Sequence, residues 1–338
     1  MPADGPPARA AASGFGARLA AAVAARESQI VVGIDPDPSR LWPAHAEAVP
    51  EARAALAEAL AEADHAARAL AGEAAPPPPA RFEAAAAVLV HSLALIDAAA
   101  PACVAAKPQL AFFEQLGFPG WLALERVCAH ARAAGLLVLA DAKRGDVPGT
   151  AAAYARALTG SVQTPFGPAP GLRADAVTAN PLLGRDALAP LVDGARAAGG
   201  GVFVLVRTSN PGAGDVLDLQ LATGEPLWER LATLVAELGG AGQAGALADV
   251  GAVTGATYPE HLARMRELMP RTPFLLPGIG AQGGAVEALA PAFAPGRAGG
   301  LVAASRSIAG AHEQHGGDPA DAARGEAERL RAAAWGLA

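Results

Sequence analysis

The chain has 338 residues, 52% of them apolar, and a formal net charge of −7. That acidic balance argues against a nucleic-acid-binding surface, no stretch of about 18 apolar residues runs without a break or a charge, and the N-terminus lacks the basic head and apolar block of a secretory signal. The expectation is a cytoplasmic protein with no membrane and no nucleic-acid partner. Residues 1–12 read as a flexible start. Phe15, Leu19 and Val23 then fall four apart, which is one face of a helix. Short apolar runs come after it at 29–35, 102–107, 136–141, 174–179, 201–207, 249–255, 273–277 and 299–304. Each is apolar throughout, as a strand buried on both faces is. Helical stretches such as 120–134 and 259–269 lie between them. Eight strands alternating with helices predict a (β/α)8 TIM barrel, taken as one domain over 1–338. A doubly wound open sheet suits the pattern less, since no G-x-G-x-x-G comes after the first strand.

Residues 43–81 break the rhythm. They are rich in Ala and Glu, predict a helix over 51–71, and end in Pro76-Pro77-Pro78-Pro79. Four prolines stop a helix and make a stiff, extended connector. The segment is expected to be a helical, proline-rich surface insertion between strands 1 and 2. Residues 239–246 read as a soft approach to strand 6, and 312–320 as flexible, with His312 and His315 solvated. Cys103 and Cys128 sit in apolar contexts and are expected to be buried free thiols. The seven histidines are scattered, and no metal site is expected.

Lysine and arginine total 26, yet only Lys107 and Lys143 are lysines. Arginine, with a pKa above about 12, cannot lend a proton, whereas a lysine can. The two lysines are therefore the first places to look for chemistry. In a barrel the C-terminal strand ends carry the site. Here strand 1 ends in Asp35, strand 2 in Lys107-Pro108-Gln109, and strand 3 in Asp141-Ala142-Lys143-Arg144-Gly145-Asp146. On an extended chain Asp141 and Lys143 leave the same face, and Asp146 comes next in the turn. Lys107, Asp141, Lys143 and Asp146 thus predict an alternating ladder of charges. A purely structural ion-pair network is the bland reading, but buried ion pairs are poor sources of stability. After strand 7 comes Pro277-Gly278-Ile279-Gly280-Ala281-Gln282-Gly283-Gly284, and after strand 8 Ser305-Arg306-Ser307. Glycines let backbone N–H groups approach a ligand, and Arg306 can fork onto phosphate oxygens. The loops after strands 7 and 8 are the usual phosphate site of barrels.

These motifs resemble the orotidine 5′-monophosphate decarboxylase family. The resemblance rests on Asp141-x-Lys143-x-x-Asp146, Lys107 and the glycine–glutamine loop. It is extended by Lys107-Pro108-Gln109-Leu110-Ala111-Phe112-Phe113-Glu114, Arg207-Thr208-Ser209-Asn210-Pro211 and Gly255-Ala256-Thr257-Tyr258-Pro259-Glu260, which look like its longer bacterial branch. The resemblance implies a cofactor-free lyase that takes CO2 from orotidine 5′-monophosphate in the last step to UMP. It implies Lys143 as proton donor to C6, flanked by Asp141 and Asp146 and bridged by Lys107. Asp35 would bind ribose, Gln282 with Gly283 would close over substrate, and Arg306 would hold the phosphate. Thr178 and Asn180 are candidates for the base. The family is dimeric, so a homodimer with shared sites is implied, Asp146 and Thr150 reaching into the partner. Pro148 stands where the family usually has glycine, and proline is acceptable in the first turn of a helix.

Two enzymatic rivals stay open: magnesium-dependent phosphosugar enzymes of the wider barrel group, separable with a chelator, and a Schiff-base aldolase, separable by borohydride trapping. From another class, a non-catalytic nucleotide-binding barrel is disfavoured by the complete charged set.

Overall fold

Eight parallel strands close on themselves in this computed structural model, which describes residues 14–42, 50, 52, 54, 56, 79–240, 246–255, 259–278 and 286–337. The strands are β1 (Ile30–Ile34), β2 (Ala105–Pro108), β3 (Leu137–Arg144), β6 (Ala176–Ala179), β7 (Gly201–Arg207), β8 (Val250–Thr254), β9 (Phe274–Pro277) and β10 (Gly300–Ala304). A separate hairpin, β4 (Ser161–Thr164) and β5 (Gly167–Pro170), lies between β3 and β6. The barrel order is β1-β10-β9-β8-β7-β6-β3-β2, so the expected (β/α)8 architecture is present and each apolar run overlaps a barrel strand. Side chains alternate as the pleat demands. Val31 points into the barrel, while Ile30, Val32 and Ile34 pack under the surrounding helices.

The N-terminal mouth is stoppered by helix α1 (Phe15–Arg26), whose Phe15, Leu19 and Val23 are fully buried among Val31, Leu139, Phe203 and Leu301. Phe15 meets Phe203 edge-on, centroids 5.8 Å apart. Two glycines make room for this plug. A Cβ on Gly201 would lie 2.4 Å from the Phe15 ring, and one on Gly251 would lie 2.3 Å from Phe203. On the polar rim of the stopper Arg18 pairs with Asp175 at 2.8 Å, and Asp175 accepts the Val138 N–H.

Of the insertion, Pro50, Ala52, Ala54 and Leu56 are described and are helical, with Ala52 and Leu56 buried. The rest of the expected 51–71 helix lies outside the described residues, as do 1–12 and 241–245. Helix α2 (Pro79–Ala99) starts inside the segment assigned to the insertion. Helices α3 (Leu110–Glu114) and α4 (Gly117–Ala133) then connect β2 to β3. Trp42, at the entry to the insertion, is buried; its Nε1 donates to Ala309 and its ring meets His91 and His312 edge-on.

One sequence expectation meets a near-exception, and two need correction. By length and composition the span Ala80–Ala102 is apolar enough to cross a membrane, although Glu83, His91 and Asp97 interrupt it. In the fold Ala85, Val88, Leu89, Leu95 and Ile96 are buried against the barrel. Second, 312–320 is mostly helical rather than soft, lying on Ala311–His315 and the start of Pro319–Leu337. The His312 ring packs on Trp42, a tertiary contact its polar neighbours do not advertise. Third, the hairpin is absent from the expectation because Pro165, Pro168 and Pro170 argue against strands. Its residues are almost all exposed, so it has no apolar alternation to read. Both cysteines are buried and free, and burial pushes each thiol up to about 12.

Candidate active site

The chemistry collects where β3 leaves the barrel. In its ladder with β6, Leu139 and Ala140 pair with Ala176 and Val177, but the next pair is Arg144 with Ala179. Asp141, Ala142 and Lys143 on β3 therefore face only Thr178 on β6. This is a bulge, a device common beside active sites because it re-aims a side chain. Lys143 takes φ +47°, in the left-handed region. That conformation costs a non-glycine residue about 1–2 kcal/mol, which the surroundings must offset. The flat, extended geometry expected for Asp141-x-Lys143 is thus corrected. The two side chains meet because the backbone between them is folded out of the ladder.

Thr178 holds the bulge from the facing strand. Its hydroxyl accepts the Lys143 N–H at 2.9 Å and donates to Asp141 at 2.8 Å. The expectation that Thr178 reads the base is not supported: it is buried and engaged under the ladder. Arg144 donates to the Ala142 carbonyl at 2.9 Å, pairs with Glu114 at the end of α3, and lies over the Tyr154 ring of helix α5 (Pro148–Leu158). Pro148 does open that helix at its first turn, as expected.

Asp141 is the hub. Its Oδ2 accepts from Lys107 Nζ and from Gln109 Nε2, both at 3.0 Å. Its Oδ1 accepts from Lys143 Nζ at 2.6 Å and from Thr178. Four donors saturate the lone pairs of a carboxylate. Burial alone would raise its pKa, but the ammonium groups of Lys107 and Lys143 outweigh burial and hold it down at about 2. Lys107 is buried too; desolvation pulls its pKa down, yet Asp141 and Asp35 win and raise it. The hub is therefore an anion between two cations at neutral pH. Lys143 is the more accessible cation, its side chain 44% exposed against 10% for Lys107. Gln109 belongs to a motif of the sequence but has no role assigned there; its parallel bridge to Asp141 brings the ends of β2 and β3 together.

Asp35 stands 4.0 Å from Lys107 Nζ, and its Oδ1 is buried without a hydrogen-bond partner. Beyond it opens a cavity of about 430 Å³ lined by Asp35, Phe112, Ser305, Arg306 and Ser307 among others. The Ser307 hydroxyl is likewise buried and unsatisfied. Buried polar atoms without partners cost about 1–3 kcal/mol each, so they mark positions where a ligand is welcome. Asp146 is not brought to the ladder within this chain: its Oδ1 accepts the adjacent Val147 N–H, and Thr150 is exposed. Asn180 lies on the rim, its side chain accepting the Leu182 N–H. Gln282 and Gly283 lie outside the described residues. Among the described residues no group of three metal-ligating side chains forms.

The sequence profile described as the orotidine 5′-phosphate decarboxylase / HUMPS family matches residues 87–324, the span from α2 through the ladder into the C-terminal helix Pro319–Leu337. This chain belongs to that family. An orotidine 5′-phosphate decarboxylase of Deinococcus radiodurans is 49% identical over 221 residues, 64% of this chain and 75% of that one. One from Azoarcus is 36% identical over 94% of this chain and 97% of its own length. In three dimensions the Leishmania donovani OMP decarboxylase superposes with a TM-score of 0.64 at 29% identity, covering 95% of this chain and 99% of that one. The family's match includes every strand of the barrel after β1 and all of the hub around Asp141.

Proposed function

We propose that this chain decarboxylates orotidine 5′-phosphate to UMP and CO2, with Lys143 protonating C6 of the ring. The activity is the family's; the observation that carries the residue assignment is the Asp141 hub, which holds the half-exposed Lys143 ammonium and, through Lys107, stands 4.0 Å from Asp35 on the wall of the cavity that Arg306 also lines. Loss of CO2 leaves an electron pair on C6. An ammonium aimed at that carbon stabilises the charge as it forms and then delivers the proton to it. At about 4 Å and an effective dielectric near 20, one such contact is on the order of 4 kcal/mol. The saturated Asp141 holds the Lys143 side chain in place at 2.6 Å, and its own negative charge raises the energy of a substrate carboxylate placed beside it. Arg306 and Ser307 supply grip on the phosphate, remote from the reacting carbon, so that binding energy orders the site. Asp35, whose Oδ1 is ion-paired with Lys107 at 4.0 Å but accepts no hydrogen bond among the described residues, is placed to accept from a ribose hydroxyl. Gln282 and Gly283 are assigned to closure over the substrate on the family resemblance.

The same reading takes residues 1–338 as one barrel domain with 43–81 as a surface insertion, in a cytoplasmic homodimer. The exposure of Thr150, and an Asp146 carboxylate whose hydrogen bond goes to the adjacent Val147 N–H and not to the ladder, support a role for both in a partner's site. The assay is the loss of orotidine 5′-phosphate absorbance with EDTA present, beside a Lys143→Ala control. Turnover in EDTA that vanishes in the variant is expected. Turnover only with added magnesium would move the chain to the metal-dependent phosphosugar enzymes.

A further inference from the structure

We propose that Arg144 is a positioning residue for Lys143, acting through the backbone of the β3 bulge; the proposal rests on Lys143 being the proton donor. Folding three residues of β3 out of the ladder frees backbone groups that a regular parallel sheet would pair. Thr178 on β6 satisfies one of them, the Lys143 N–H. Arg144 satisfies another from the opposite side, donating to the Ala142 carbonyl at 2.9 Å. Both grips fall on one peptide unit, the Ala142–Lys143 amide, so the plane that leads into Lys143 is fixed from two sides, and Lys143 carries the left-handed φ of +47°.

The guanidinium is itself fixed. It pairs with Glu114, and its plane lies over the Tyr154 ring, 5.5 Å from the centroid. Glu114 ends the helix that comes after Lys107 and Gln109, so the pair ties the β2 end to the β3 end. Those are the two segments whose lysines share Asp141. Arg144 does not line the cavity. The guanidinium bonds that are seen go to Ala142 and Glu114. Without the clamp, Lys143 is free to relax toward an ordinary φ and swing its ammonium off the Asp141 hub.

With only two lysines in the chain, lysine carrying ¹³C at Cε yields two resonances, and Lys143→Ala identifies which is which. In Arg144→Ala the Lys143 resonance is expected to move toward the position of a free lysine while that of Lys107 stays. On decarboxylation kcat should fall about 10²-fold, the scale of a displacement near 1 Å. KM should stay within about threefold, as for an interaction that matters only in the transition state. Glu114→Gln, which preserves shape and carries the test if Arg144→Ala fails to fold, should do the same at roughly tenfold. The double variant should be no worse than Arg144→Ala alone, because the two belong to one pair. An unmoved Lys143 resonance in both variants, or kcat and KM changing together in both, overturns the proposal. If the resonance moves but the unmodified protein does not act on orotidine 5′-phosphate, the clamp stands and the decarboxylase reading is what fails.

Discussion

At the N-terminal end of the barrel Arg266 is buried, and among the described residues no carboxylate pairs with it. It donates instead to the carbonyls of Met269, Thr272, Ala292 and Gly299 at 2.7–3.1 Å and lies 3.8 Å from the centroid of Phe274. Burial draws its pKa down to about 9, which still leaves it charged at neutral pH. At the C-terminal end Asp141 is as deeply buried, but its four partners are all side chains. Backbone carbonyls of packed segments cannot move to a new partner, so the lower arrangement only holds the fold. Side chains can re-pair, so the upper one can hand an ammonium to a substrate. Asp35 Oδ1 and Ser307 Oγ, buried without hydrogen bonds, line the cavity at the upper mouth.

Replacing Lys143 by Ala tests the difference most severely. Removing the proton donor and its charge together should lower kcat by about 10⁴-fold or more. Stability should change by only about 1 kcal/mol, because the side chain is half exposed. Asp141→Asn comes next, and it should hurt both properties. It leaves the Lys107 ammonium buried without its counter-charge, a loss of about 3–5 kcal/mol in urea unfolding, with kcat down between about 10² and 10⁴-fold. Arg266→Met should separate the ends cleanly. Four buried carbonyls lose a charged donor, for a cost of about 3 kcal/mol, while kcat and KM stay as they are. A fall in kcat at constant KM in that variant would erase the contrast between the two mouths. Arg306→Ala should raise KM by about 10²-fold, through lost charge-assisted bonds to phosphate, and more than it lowers kcat.

The smallest effect is on pH. The folded pKa of Asp141 is depressed from 3.8 to about 2, so its contribution to stability is complete above about pH 4. It is lost as the pH falls from about 4 to 2, amounting to roughly 2 kcal/mol. Urea midpoints of the native chain and of Asp141→Asn should converge across that window. Parallel curves would mean that the carboxylate is not held down by its lysines.

How much of this was legible in order and composition differs from element to element. The barrel strands are apolar throughout and separated by helical periods, so their number and the ends that carry charge could be read directly. The scarcity of lysine pointed to Lys107 and Lys143 before any geometry, and the structure places both on Asp141. The proline-bearing hairpin was invisible, because its residues are almost all exposed and it needs no alternation. Thr178 was noticed for the wrong reason. Its position at the end of a strand said that it faced the mouth, not that its hydroxyl was engaged beneath the ladder. Gln109, Glu114 and Arg144 carried no signal as individuals, since a polar residue near a strand end has many bland readings.

What the sequence by itself determined is therefore the set of strands, the closure they require and the residue types gathered at one mouth. Apolar run length and periodicity are local, and burial is their consequence. What only the tertiary structure decided is the sign of φ at Lys143 and, with it, where the ammonium points. That choice depends on Thr178, 35 residues away along the chain, and on a guanidinium anchored to another strand's helix. A bulge is a mismatch between two strands, so it exists only once both are paired.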